Sequence, residues 1–186
     1  MRATLSSILV AAAILMPFAA QAGWQDEATT FDQSRLARLG EARSQAMAES
    51  GGAGQDVLNA PASGGSLTGS WRCRTIKLGG MTSSVVYSWF RCRVTDEGGV
   101  LHFEKLSGSQ RMGGTLYPDG EGYVYLGASW VKGETPHGYS GNGAAFGARA
   151  TPDDQIGRMT ATAGGARLEL PFPVQESTMD VVELRR

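Results

Sequence analysis

From Leu67 to the C-terminus, short runs rich in Val, Tyr, Trp, Phe and Thr alternate with glycine-centred turn signals, and that punctuation leaves room for little besides an antiparallel β fold. Gly79-Gly80, Gly98-Gly99, Pro118-Asp119-Gly120 and Gly164-Gly165 each separate two such runs, where residues tolerant of positive φ close hairpins. The runs predict strands over 69–78, 84–94, 100–106, 110–117, 122–131, 144–150, 155–162, 166–171 and 178–185. Eight or nine short strands at this spacing point to a mainly β, antiparallel, barrel-like domain over 67–186. Gly113-Gly114 interrupts a run instead of separating two, and reads as a bulge or a sharp bend at a barrel corner.

Upstream the pattern changes. Within an N-terminal helical segment, 23–50, a helix is expected over 31–49. Leu36, Leu39, Ala42 and Ala46 recur at helical spacing, Asp32 is placed to cap the start, and Gly51-Gly52 ends it. So thin an apolar stripe reads as a face docked on the parent domain. Residues 51–66, rich in Gly, Ala and Ser, read as a flexible linker. Residues 1–22 read as a signal peptide: Arg2 precedes an apolar run from Ile8 to Ala20, and Ala20-Gln21-Ala22 is an A-x-A cleavage site. The expectation is an exported protein, periplasmic or secreted, with no transmembrane anchor after cleavage.

Seventeen basic and eighteen acidic side chains give a formal charge of −1, which excludes the basic footprint of a nucleic-acid partner. The chain has two cysteines, Cys73 and Cys92, and an even count in an oxidising compartment reads as one disulfide. The 18 residues between them make that bridge worth about 3 kcal/mol on the chain-entropy account. His102 and His137 lie far apart with no ligand spacing around them, so no metal is expected. No cofactor is expected either, because the glycines at 141, 143 and 147 miss the dinucleotide fingerprint.

If the bridge joins directly opposed residues, Arg72 faces Arg93 and Arg74 faces Arg91, and four arginines share one face of the first hairpin. Trp71, Cys73, Phe90, Cys92 and Val94 take the other, core-directed face, while the arginine face continues into Ile76, Leu78, Tyr87 and Trp89. Opposed like charges cost roughly 0.2–1 kcal/mol per pair, so this face calls for carboxylates, and Glu104 and Glu183 are the candidates inside the chain. The alternative is a recognition face, on which Arg74 and Arg91 hold acidic groups while Trp89 and Tyr87 supply apolar area.

Catalytic motifs fail. Gly138-Tyr139-Ser140-Gly141-Asn142 lacks the last glycine of a nucleophile elbow, and Asp153-Asp154 behind Pro152 reads as an exposed turn. The most site-like loop is 131–143, with Glu134, His137 and Tyr139 as candidate ligand contacts. A second polar cluster, 107–111, adds Gln110 and Arg111.

The runs LTGSWRCRTIKLGG (67–80), VYSWFRC (86–92), SGSQR (107–111), YLGA (125–128) and ELPFP (169–173) together resemble the family known as domain of unknown function 4893. That resemblance implies export and paired cysteines and carries no reaction. Gly69-Ser70-Trp71 also resembles the Gly-x-Trp opening of lipocalin and protease-inhibitor barrels, which implies a Trp closing one barrel end with a late basic residue, here Arg185, stacked on it. The leading expectation is a binding module for a small ligand or an exported protein. Its rivals are a hydrolase or isomerase using His137 with Glu134, Asp153 or Asp154, and an inhibitor or envelope scaffold presenting a patch around Trp89.

Overall fold

The computed structural model describes residues 23–141 and 151–186; the signal-peptide reading and the predicted strand 144–150 lie outside the described residues. Among the described residues nine strands follow four short helices, α1 (Trp24–Glu27), α2 (Thr30–Ala37), α3 (Leu39–Glu49) and α4 (Gln55–Leu58). The strands are β1 (Gly69–Leu78), β2 (Ser84–Val86), β3 (Phe90–Glu97), β4 (Val100–Lys105), β5 (Gln110–Asp119), β6 (Gly122–Val131), β7 (Asp154–Thr162), β8 (Gly165–Pro171) and β9 (Met179–Arg185). All pair antiparallel in the order β1-β3-β4-β5-β6-β7-β8-β9, and β9 returns to β1 to close an eight-stranded barrel. β2 is an added strand on the far half of β1.

The predicted strand 84–94 is two strands. Ile76 pairs with Val86 but Cys73 with Phe90, so four steps on one side match three on the other, and the extra residue breaks the run at 87–89. The cysteines do form the disulfide, with Cα atoms 5.8 Å apart, yet they are diagonal neighbours. Trp71 faces Cys92, Cys73 faces Phe90, Arg72 faces Arg91 and Ser70 faces Arg93. The expected pairing was therefore off by two residues. An even shift preserves the side-chain faces, which is why Trp71, Cys73, Cys92 and Val94 are still found in the core.

The barrel interior is filled by period-2 residues from each of the eight barrel strands, with Phe103, Leu116, Tyr125, Met159, Leu168 and Leu184 among them. One end is closed by Trp71, whose indole donates to the Leu67 carbonyl at 2.7 Å. Arg186, not the expected Arg185, stacks on that ring at 4.0 Å. Gly113-Gly114 makes no bulge, because β5 pairs with β4 and β6 without interruption. Clearance explains these glycines. Gly114 opposes Gly127, and a Cβ on Gly114 would fall 2.7 Å from the Tyr125 ring and run into the β6 backbone. Gly114→Val is therefore expected to cost about 1–3 kcal/mol by overpacking, read as a lower urea midpoint at unchanged slope.

The helices cover the outer wall. Ala46 of α3 and Val57 and Leu58 of α4 pack on Ile76, Leu78, Met179 and Val181, so the Ile76 and Leu78 part of the apolar continuation is covered by helix, and the thin stripe docks on the parent domain. The stretch read as a flexible linker carries α4 and a bridge from Ala62 to Thr162, because Val57 and Leu58 gain burial there. The single expected helix is broken at Arg38 into α2 and α3, and its cap is Thr29, which accepts from the Asp32 amide; Asp32 sits one turn in. On the neighbouring wall, Ala28, Val124, Leu126 and Ile156 form a third cluster under α1 and α2. Among the described residues no helix is long and apolar enough to cross a membrane.

Candidate functional site: the barrel mouth

The two ends of the barrel differ. Opposite the Trp71 plug, the inward positions become polar: Thr75 and Lys77 on β1, Lys105 on β4, Gln110 on β5, Ser129 on β6, Gln155 on β7 and Asp180 on β9 surround a cavity of about 280 Å³. Met112, Leu170 and Val182 form its apolar side. The rim is built by 131–134, Pro152–Asp154 and the β8–β9 connection, 172–178. That connection holds both non-glycine residues with positive φ among the described residues, Phe172 (45°) and Glu176 (72°). Such strain concentrates where a backbone is held for a purpose.

Charges in the mouth are unevenly compensated. Lys77 bonds Asp180 at 3.2 Å and Glu176 at 3.1 Å. Burial lowers the proton affinity of Lys77, but the two carboxylates outweigh it and raise its pKa; burial likewise raises that of Asp180. Lys105 is different. It is 6% exposed, donates to the Gln110 carbonyl at 2.7 Å, lies over the Phe90 ring at 4.4 Å, and has no carboxylate partner among the described residues. Burial, followed by the like charge of Arg111, pushes its pKa down to about 8. Gln155 Oε1 is also buried without a hydrogen-bond partner among the described residues.

Of the expected contacts, Gln110, Arg111 and Glu134 meet at this mouth, with Glu134 accepting from the Val131 amide at 2.7 Å. His137 is exposed on the lip, 6.1 Å from the Trp130 ring and 4.0 Å from Asp153. Ser140 bonds Asp154, so His137–Asp153 and Ser140–Asp154 are two separate pairs with no relay joining them among the described residues. Tyr139 turns away from the cavity to bond Asp32 and the Thr29 amide, and burial, then Asp32, raises its pKa. Sequence reasoning missed Lys105 and Lys77. The signal was present, since Lys105 is in phase with Leu101 and Phe103, and Lys77 with Trp71 and Cys73.

The arginine face lies apart from the mouth, on the outer wall. Arg72, Arg74 and Arg185 surround the Trp89 ring at 5.3, 4.8 and 5.4 Å. Buried Glu183 accepts from Arg74 at 2.6 Å and Arg185 at 2.5 Å, while Glu104 pairs with Arg93 at 3.2 Å. Tyr87 is half-buried, its amide bonded to the Thr75 carbonyl. Arg91 opposes Arg72 and has no ion-pair partner among the described residues. Arg74→Gln should therefore cost about 1–2 kcal/mol by removing a charged partner of buried Glu183, whereas Arg91→Gln should stay within about 0.5 kcal/mol of the parent. Separate melting curves distinguish them. In a groove of about 290 Å³ beside Arg185 and Asp56 the buried charges, Arg167 and Glu183, are paired.

The family model described as Domain of unknown function (DUF4893) matches residues 24–184. The chain belongs to that family. The DUF4893 match runs through the helices, the barrel strands and the mouth. No curated protein and no solved structure matches the chain.

Proposed function

We propose that this DUF4893 chain is an exported binding module whose barrel mouth takes a small ligand. The observation that supports it best is the contrast between the barrel ends: one is plugged by Trp71, while the other encloses about 280 Å³ beside a buried, carboxylate-free Lys105. A lysine held inward without a carboxylate partner carries a charge that costs stability unless something compensates it. The volume lies just below the roughly 300–1,000 Å³ usual for drug-sized ligands, so a small occupant fits. Export is supported by the leader pattern at 1–22 and by the disulfide.

Amide NMR of the exported protein titrated with a fragment library tests the reading. Shifts clustered at Gln110, Ser129, Gln155 and Asp180 are expected. Shifts confined to the outer wall around Trp89 would transfer the function to that face and end the mouth proposal.

A further inference from the structure

Resting on that mouth reading, we propose that the ligand is a small organic anion, its charged head held by Lys105, with Arg111 at the cavity lip adding its positive field, and its apolar body against Met112 and Leu170. The geometry separates the charges of this cavity into a compensated side and an uncompensated one. On the β1–β9 side Lys77 is matched by Asp180 and Glu176. On the rim, Glu134 is engaged by the Val131 amide, Asp154 by Ser140 and the Thr151 amide, and Arg35 by Asp32. Asp153 stands in solvent beside His137.

The β4–β5 side carries two cations and no carboxylate within ion-pair distance among the described residues. Of the three donors on the Lys105 ammonium, one goes to the Gln110 carbonyl and one face is met by Phe90. A carboxylate or similar monoanion supplies the missing acceptor and relieves the repulsion by Arg111, in a half-enclosed cavity where a charge-assisted hydrogen bond is stronger than in bulk water. A cation finds no such place, because the carboxylates of Asp180 and Glu176 are held by Lys77.

The test uses three compounds of one shape, benzoate, benzyl alcohol and benzylamine, titrated into the exported protein by calorimetry with amide NMR to locate them. Benzoate is expected to bind at the mouth about tenfold or more tightly than benzyl alcohol, and benzylamine more weakly still. Because the competent state needs a protonated Lys105, whose pKa is about 8, raising the pH from 7 to 9.5 should weaken benzoate more than about tenfold and leave benzyl alcohol unchanged. Lys105→Met and Arg111→Gln should each reduce the benzoate preference, the first abolishing it. Equal affinity for benzoate and benzyl alcohol at the mouth overturns the anion inference and leaves the mouth reading standing. If none of the three perturbs the mouth resonances, both fall. Melting curves confirm that each variant is folded, and loss of benzoate binding from an unfolded variant is replaced as evidence by the pH dependence of the parent.

Discussion

Asp32→Ala is expected to destabilise the protein by about 3–5 kcal/mol, because it strands a buried guanidinium. Asp32 is fully buried and Arg35 is 5% exposed; together with Thr29 and Tyr139 they form one network. Arg35 also donates to the carbonyls of Phe172 and Asp154, each at 3.2 Å. The network thus buckles α2 to both connections that rim the mouth, and the damage should spread. Hydrogen exchange should quicken at 137–141 and 172–176 before it changes in the β3–β4 hairpin. At roughly 2–4 °C per kcal/mol for a chain of this size, melting should fall by about 10 °C. Replacing Asp32 and Arg35 together by Leu should cost less than Asp32→Ala alone, since no charge is then left buried. A single variant melting within a degree or two of the parent would show that solvent or another group compensates Arg35.

The barrel was legible because its information is local. Turn glycines mark the hairpins, and alternation within each run fixes which residues point inward, so most strand limits read from the sequence agree with the structure to within two residues. Register was not legible in the same way. Assuming opposed cysteines shifted the first hairpin by two, and only the positions of Phe90 and Trp71 across from the cysteines reveal the diagonal bridge. The break at 87–89 was hidden because Tyr-Ser-Trp is as strand-like in composition as its neighbours. Val57 and Leu58 were overlooked among small and polar residues, although two adjacent large aliphatics in a supposed linker are a signal of docking.

The site divides along the same line. Gln110, Arg111 and Glu134 drew notice as polar clusters beside strands, but what brings them to the candidate mouth is barrel closure, which sets β4, β5, β6 and β9 around one opening. Tyr139 was a fair candidate from its loop, yet its partner Asp32 lies 107 residues away, and no local pattern reports that contact. Lys105 was readable. In VLHFEK the inward positions are Leu101, Phe103 and Lys105, so a cation takes a place that the period assigns to an apolar side chain. A charge in phase with a core stripe is the sequence trace of this candidate site.

Lys105→Met should therefore stabilise the fold while it removes the proposed anchor. The folded protein holds this ammonium at a pKa of about 8, below the ordinary value of 10.5. The folded state then releases a proton more easily than the unfolded one, so between pH 8 and 10.5 the unfolded chain carries more protons and the parent's stability rises with pH. Below pH 8 both states are protonated and the full penalty applies. Keeping the buried ammonium charged there costs the fold at most about 3 kcal/mol. An unbranched Met fills the same space without a charge, so near neutral pH the variant should melt about 3–8 °C above the parent. That gap should shrink steadily from pH 8 to 10.5 as Lys105 discharges in the parent, whereas the Lys77–Asp180 pair is common to both proteins and cancels in the comparison. A variant less stable than the parent at pH 7 would mean that the ammonium is compensated within the fold by its Gln110 and Phe90 contacts, and the mouth would lose its claim to an uncompensated charge. A stability gain that persists unchanged to pH 10.5 would instead locate the benefit in packing, leaving the charge without a role in it.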